Sequence, residues 1–129
     1  MRILFPLFFV SAVAANAAAQ SADVRYVFFD WGKNEITRDA SATLDAIASG
    51  YQPGMRWSVT GFTDRSGSAW SNLRTSKARA AMVRDYLVGK GVPAAALVVY
   101  GEGENRPVIA TEDGVREVQN RRVEIRPIN

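Results

Sequence analysis

The sequence predicts a layered α/β or α+β sandwich, with helices on one face of a small sheet. Two observations carry this expectation. Short runs rich in β-branched and aromatic residues alternate with stretches whose apolar residues recur at helical spacing. The chain of 129 residues suits one domain rather than two, with no internal repeat or low-complexity linker past its N-terminal segment.

The elements follow in order. Val24 to Phe29 reads as a strand and is broken by Asp30-Trp31-Gly32-Lys33-Asn34. Thr37 is placed to cap a helix carrying Ala40, Leu44, Ile47 and Ala48 on one side, and Gly50 stops it. Residues 51–55 form a turn before a second strand, Arg56 to Phe62. After the loop Thr-Asp-Arg-Ser-Gly-Ser, a second helix runs from about Ala69 to Val88. Gly89 and Gly91 end it and Pro93 blocks continuation. Leu97 to Tyr100 is a third strand. A Gly-Glu-Gly-Glu bend and a polar stretch lead to a last strand from Arg121 to Ile128, in which Val123, Ile125 and Ile128 alternate with charged neighbours.

Ahead of these elements, Met1-Arg2 is followed by an apolar run from Ile3 to Ala19 that ends in small residues. This is the pattern of a cleaved signal peptide over residues 1–19, leaving residues 20–129 as the folded domain. The alternative is an uncleaved anchor in the inner membrane, since about 18 apolar residues just span a bilayer. A domain of the remaining size buries roughly two-thirds of its unfolded surface and needs no staples. None are on offer, because the chain has no cysteine. That excludes both a disulfide framework and a lipid-modified N-terminal cysteine. The formal net charge is +3, and 13 of the 16 basic residues are arginine, whose planar fork suits carboxylates and phosphates.

The second helix has a mixed face. Asn72, Ser76, Arg79 and Val83 fall within about 60° of one another at 100° per residue, so the stripe begins polar and turns apolar. The expectation is that its C-terminal half packs on the core. Its N-terminal half then overhangs the sheet and faces a groove beside the loop that carries Asp64. Asp64 and Arg79 would then offer opposite charges to one small zwitterion. The plainer alternatives are a salt bridge from Arg79 to Asp64 or Asp85 and an Asx-type turn at Asp64.

At these residues the sequence resembles the OmpA C-terminal-like family of peptidoglycan-binding domains. The helix pattern is met by Asn72, Ser76, Arg79, Ala80, Val83 and Leu87, with Thr75 where leucine is usual. Gly61-Phe62-Thr63-Asp64-Arg65-Ser66-Gly67, Gly101-Glu102-Gly103-Glu104-Asn105-Arg106-Pro107 and Asn120-Arg121-Arg122-Val123-Glu124 match three further family motifs in the right order. The resemblance implies a βαβαβ-type two-layer sandwich with helices on one face of a small mixed sheet. It also implies non-covalent binding of peptidoglycan through the meso-diaminopimelate of its stem peptide. Asp64 would take the ligand's ammonium and Arg79 its carboxylate. Trp31, Gly32, Thr63, Asn72 and Ser76 would line the site, and either Arg121 or Arg122 would add positive charge. Gly32 stands where relatives usually carry Asp or Asn, so only backbone is contributed there and binding is expected to be weaker. The implied setting is the periplasm, in association with cell wall or outer membrane and possible envelope-protein partners, as a free-standing domain.

Other classes fare worse. With no histidine and no cysteine, Ser-His-Asp and Cys-His arrangements cannot be built, and neither a typical zinc site nor a cofactor is expected. Glu102 and Glu104 sit two apart in a Gly-rich bend, an unpromising carboxylate pair for glycan hydrolysis. Arginines with Trp31, Trp57 and Trp70 could stack on nucleic acid, but the export signal argues against that partner. An envelope protein adapter, with the peptidoglycan groove weakened or lost, is the remaining alternative.

Overall fold

The computed structural model describes residues 23–129; the expected signal segment lies outside them. Four strands and two helices follow the expected order: β1 (Arg25–Phe28), α1 (Arg38–Ser49), β2 (Arg56–Gly61), α2 (Ala69–Gly89), β3 (Leu97–Gly101) and β4 (Arg122–Ile128). They form one mixed sheet in the order β1-β4-β2-β3. β4 runs antiparallel to both β1 and β2, while β2 and β3 are parallel and joined through α2. Among the described residues no helix is long and apolar enough to cross a membrane.

The period-two pattern fixes which face is covered. Val27 lies opposite Val123, and Val59 opposite Ile125, and all four are buried. Leu44 and Ile47 of α1 and Ala80, Val83 and Leu87 of α2 close over them, with Phe29 at the end of β1 completing the core. Each fully buried Val, Leu, Ile or Phe side chain of this set contributes about 1.5–3 kcal/mol. The opposite face keeps Tyr26, Phe28 and Tyr100 partly exposed.

Caps set the helix limits. Thr37 Oγ1 accepts from Ala40 N at 3.1 Å and Ser68 Oγ from Ser71 N at 3.1 Å, each satisfying one first-turn amide. α2 passes through Gly89, and the chain turns away only at Gly91, with φ of +103°.

In one respect the structure departs from the sequence-based picture. The N-terminal half of α2 does not overhang the sheet; it lies directly on the ends of β2 and β3. A Cβ built on Gly61 would come within 1.9 Å of the Ser76 carbonyl oxygen, and one on Gly101 within 2.9 Å of the Lys77 nitrogen. Only glycine admits so close a helix-to-strand approach. The polar stripe is therefore buried between helix and loops.

Candidate functional site

Three loops meet at the C-terminal end of β2: the turn after β1, the loop between β2 and α2, and the long connection from β3 to β4. The first is a turn closed by Lys33 N donating to Asp30 O at 3.1 Å, with Gly32 at φ +69°. The second is held by Asn72, whose Nδ2 is shared among Asp64 O, Gly67 O and Glu104 Oε2 at 3.1–3.2 Å. The third is pinned by Ser76, whose Oγ accepts from Gly103 N at 2.9 Å and donates to Leu73 O at 2.7 Å. Asn72 and Ser76 thus belong to the site by fastening its loops.

Asp64 is 2% exposed, yet its carboxylate is well supplied with donors. Oδ1 accepts from Ser66 N at 3.1 Å and from Ser66 Oγ at 2.5 Å. Oδ2 accepts from Glu117 N at 3.1 Å and from Arg121 Nη1 at 2.9 Å. Burial pushes this carboxyl up, but the bonds from Ser66, Arg121 and Glu117 outweigh it and hold it below the ordinary aspartate value. The Asx-type turn is therefore present, and the salt bridge of Asp64 goes to Arg121 rather than to Arg79. Asp85 pairs instead with Arg84.

Arg79 is also 2% exposed. Its Nε and Nη2 donate to Lys33 O at 3.2 and 3.1 Å, and Nη2 lies 3.4 Å from Asp30 O. The guanidinium carbon stands 5.3 Å from the centroid of the Phe29 ring. Burial and then the nearby Arg121 charge lower its pKa to about 10, with Asp64 opposing them in part. Arg79 stays protonated at neutral pH. Among the described residues no carboxylate lies within salt-bridge distance of it.

The remaining candidates separate. Trp31 flanks the cluster: its Nε1 donates to Ser66 Oγ at 3.1 Å and the Arg116 guanidinium lies 3.4 Å over its ring. A side chain at Gly32 would meet open space. Thr63 is buried, and its Oγ1 has no hydrogen-bond partner among the described residues. Arg121 joins the cluster, anchored by Nε to Phe29 O at 3.0 Å. Arg122 does not. It pairs in register with Phe28 on the far face of the sheet, 3.9 Å over the Phe62 ring, and its Nη2 donates to Arg106 O. Arg121 caps the short 3-10 turn Val118–Asn120 just ahead of β4, whereas Arg122 is the first residue of the strand, and the two side chains leave in different directions.

Sequence reasoning missed Ser66, the amide of Glu117, the carbonyls of Asp30 and Lys33, and Arg116. The Asp-x-Ser spacing signals the Ser66 bonds; no sequence pattern points to the others. A cavity of about 520 Å³ lies at the other end of β2 beside Met55, Trp57 and Ile128. It lacks the convergent buried charges that mark the first region. Among the described residues no group of three or more His, Cys, Asp or Glu could hold a metal ion.

The structure is thus a two-layer sandwich with opposite charges, Asp64, Arg79 and Arg121, gathered at its loop end. The chain belongs to the OmpA family, whose model matches residues 28–121. It is 37% identical over 98 residues to a peptidoglycan-associated lipoprotein of Rhizobium meliloti, covering 74% of this chain and 56% of that protein. It is 37% identical over 107 residues to an outer membrane protein of Gluconacetobacter diazotrophicus, covering 77% of this chain and 28% of the relative. The chain thus spans between about a quarter and just over half of these relatives' lengths. The crystal structure of the peptidoglycan-associated lipoprotein from Burkholderia pseudomallei superposes with a TM-score of 0.75 at 28% identity, covering 81% of this chain and 90% of that one. The C-terminal domain of Helicobacter pylori MotB shares the fold, with a TM-score of 0.71 at 23% identity over 81% of this chain and 84% of that one.

Proposed function

We propose that this chain binds peptidoglycan non-covalently in the periplasm, holding the meso-diaminopimelate of the stem peptide between Asp64 and Arg79. The observation that carries the reading is the unmatched charge of Arg79. A guanidinium that is 2% exposed and bonded only to backbone carbonyls lacks the acidic partner that buried charges ordinarily have. Arg121 spends its charge on Asp64, so the cluster of two arginines and one aspartate is one anion short. A ligand carboxylate supplies it, and guanidinium forks bind carboxylates in bidentate fashion. A carboxylate with an ammonium on the same carbon also addresses Asp64. The names of the relatives, peptidoglycan-associated lipoproteins among them, support the same polymer as ligand. In this reading the domain works in the cell envelope after loss of residues 1–19.

The test is co-sedimentation of the purified protein with sacculi, with and without free diaminopimelate as competitor. Arg79→Met preserves bulk while removing the charge, and Asp64→Asn removes the charge at nearly the same size, keeping one acceptor oxygen for two of the four donors. Each is expected to weaken binding by about 30-fold or more, the effect of deleting one partner of a desolvated charged contact. Unchanged sedimentation of both variants would sink the reading.

A second reading, an envelope adapter that has lost the peptidoglycan groove, is favoured by one observation: the Asp64 carboxylate is already filled by four protein donors. Under it, wild-type protein fails to sediment with sacculi.

A further inference from the structure

Asp64 and Arg121 together raise a question that the proposed ligand must answer. If Asp64 is the acceptor for a ligand ammonium, as the reading above holds, it has little room for one. An ionised carboxylate offers about four lone-pair positions, and four donors occupy them. Two of the donors are backbone amides: Ser66 N, part of the Asx turn, and Glu117 N, just ahead of the short 3-10 turn Val118–Asn120. Ser66 Oγ is linked onward, accepting from Trp31 Nε1. Arg121 Nη1 is the fourth, and it differs in kind. Arg121 keeps a separate anchor through Nε on Phe29 O, so its outer nitrogen can leave Asp64 without the side chain being released.

We infer that Arg121 is the specificity-determining residue of this site: its guanidinium competes with a ligand ammonium for Asp64 and reinforces Arg79 in attracting a carboxylate. Two consequences oppose each other. With Arg121 in place, an anion meets two cations and one neutralised aspartate, so a carboxylate-only ligand is tolerated. Without it, Asp64 keeps three neutral donors but loses its salt-bridge partner, so it repels such a ligand more and has a position open for an ammonium. Arg121 therefore relaxes discrimination between zwitterionic and purely anionic groups.

The experiment is titration calorimetry of the purified protein with two soluble ligands. One is the tripeptide L-alanyl-γ-D-glutamyl-meso-diaminopimelate. The other is its analogue with the distal amino group replaced by hydrogen. Arg121→Gln is compared with wild type and with Arg121→Lys, which keeps the charge. The ratio of the two affinities is the readout, because a merely structural loss lowers both and leaves the ratio alone. In Arg121→Gln the preference for the zwitterion is expected to rise by about fivefold or more, within the usual range of coupling between neighbouring groups. Arg121→Lys should stay near wild type. An unchanged or reduced ratio in Arg121→Gln, with wild type binding the tripeptide, overturns the inference and leaves the binding reading standing. Failure of wild type to bind the tripeptide overturns both.

Discussion

Arg79 and Asp64 are both buried, but their surroundings treat them differently. Asp64 has four donors, whereas Arg79 has carbonyl dipoles and an aromatic face. The difference shows in acid. A carboxyl held below its ordinary value in the folded chain binds fewer protons there than when unfolded, so its stabilisation is complete above that ordinary value and fades as pH falls through the folded one. We expect the unfolding temperature of wild type to exceed that of Asp64→Asn at pH 7, and the gap to close below about pH 4. A gap that persists at pH 2 would mean that Asp64 stabilises by shape and not by charge. The motif around Thr63-Asp64 and the helix spacing of Arg79 single out both residues as candidates, and the structure buries both. Their actual partners were not legible. Arg121 is 57 residues from Asp64, and Lys33 is 46 from Arg79; no local pattern encodes contacts across such separations.

At the scale of elements, α2 is held to the sheet by two missing side chains. Gly61→Ala would drive a methyl into the Ser76 carbonyl, which is backbone and cannot swing aside. The expected loss is about 3 kcal/mol, or a fall of about 12 °C or more in unfolding temperature measured by circular dichroism. A shift under a few degrees would show that helix and strand can separate cheaply. The helix itself was readable from its periodicity, with Gly89, Gly91 and Pro93 marking its end. Its polar N-terminal stripe misled, because a stripe of Asn72, Ser76 and Arg79 looks solvent-facing until loops arrive to satisfy it. Burial of polar groups depends on partners that a helical wheel does not contain.

For the whole molecule, the site draws on three loops from opposite ends of the chain, so ligand should act on global stability. The diaminopimelate tripeptide at about 100 times its dissociation constant adds about 2.7 kcal/mol, which raises the unfolding temperature by about 10 °C. Thermal melts of wild type and Arg79→Met check this: the rise should be present in the first and absent in the second. The layered class was legible from the strand and helix alternation, and the sheet order came with the family resemblance only as a type. Composition carries no record of which strand lies in the middle.

That arrangement bears on synthesis. β1, although made first, pairs with β4 and with no other strand among the described residues. Until residues 122–128 leave the ribosome, the opening strand has no neighbour to bond. Only half of the sheet, β2 beside β3, can assemble in the meantime. A chain cut ahead of β4 leaves β1 without a partner strand, so it is expected not to complete the sheet.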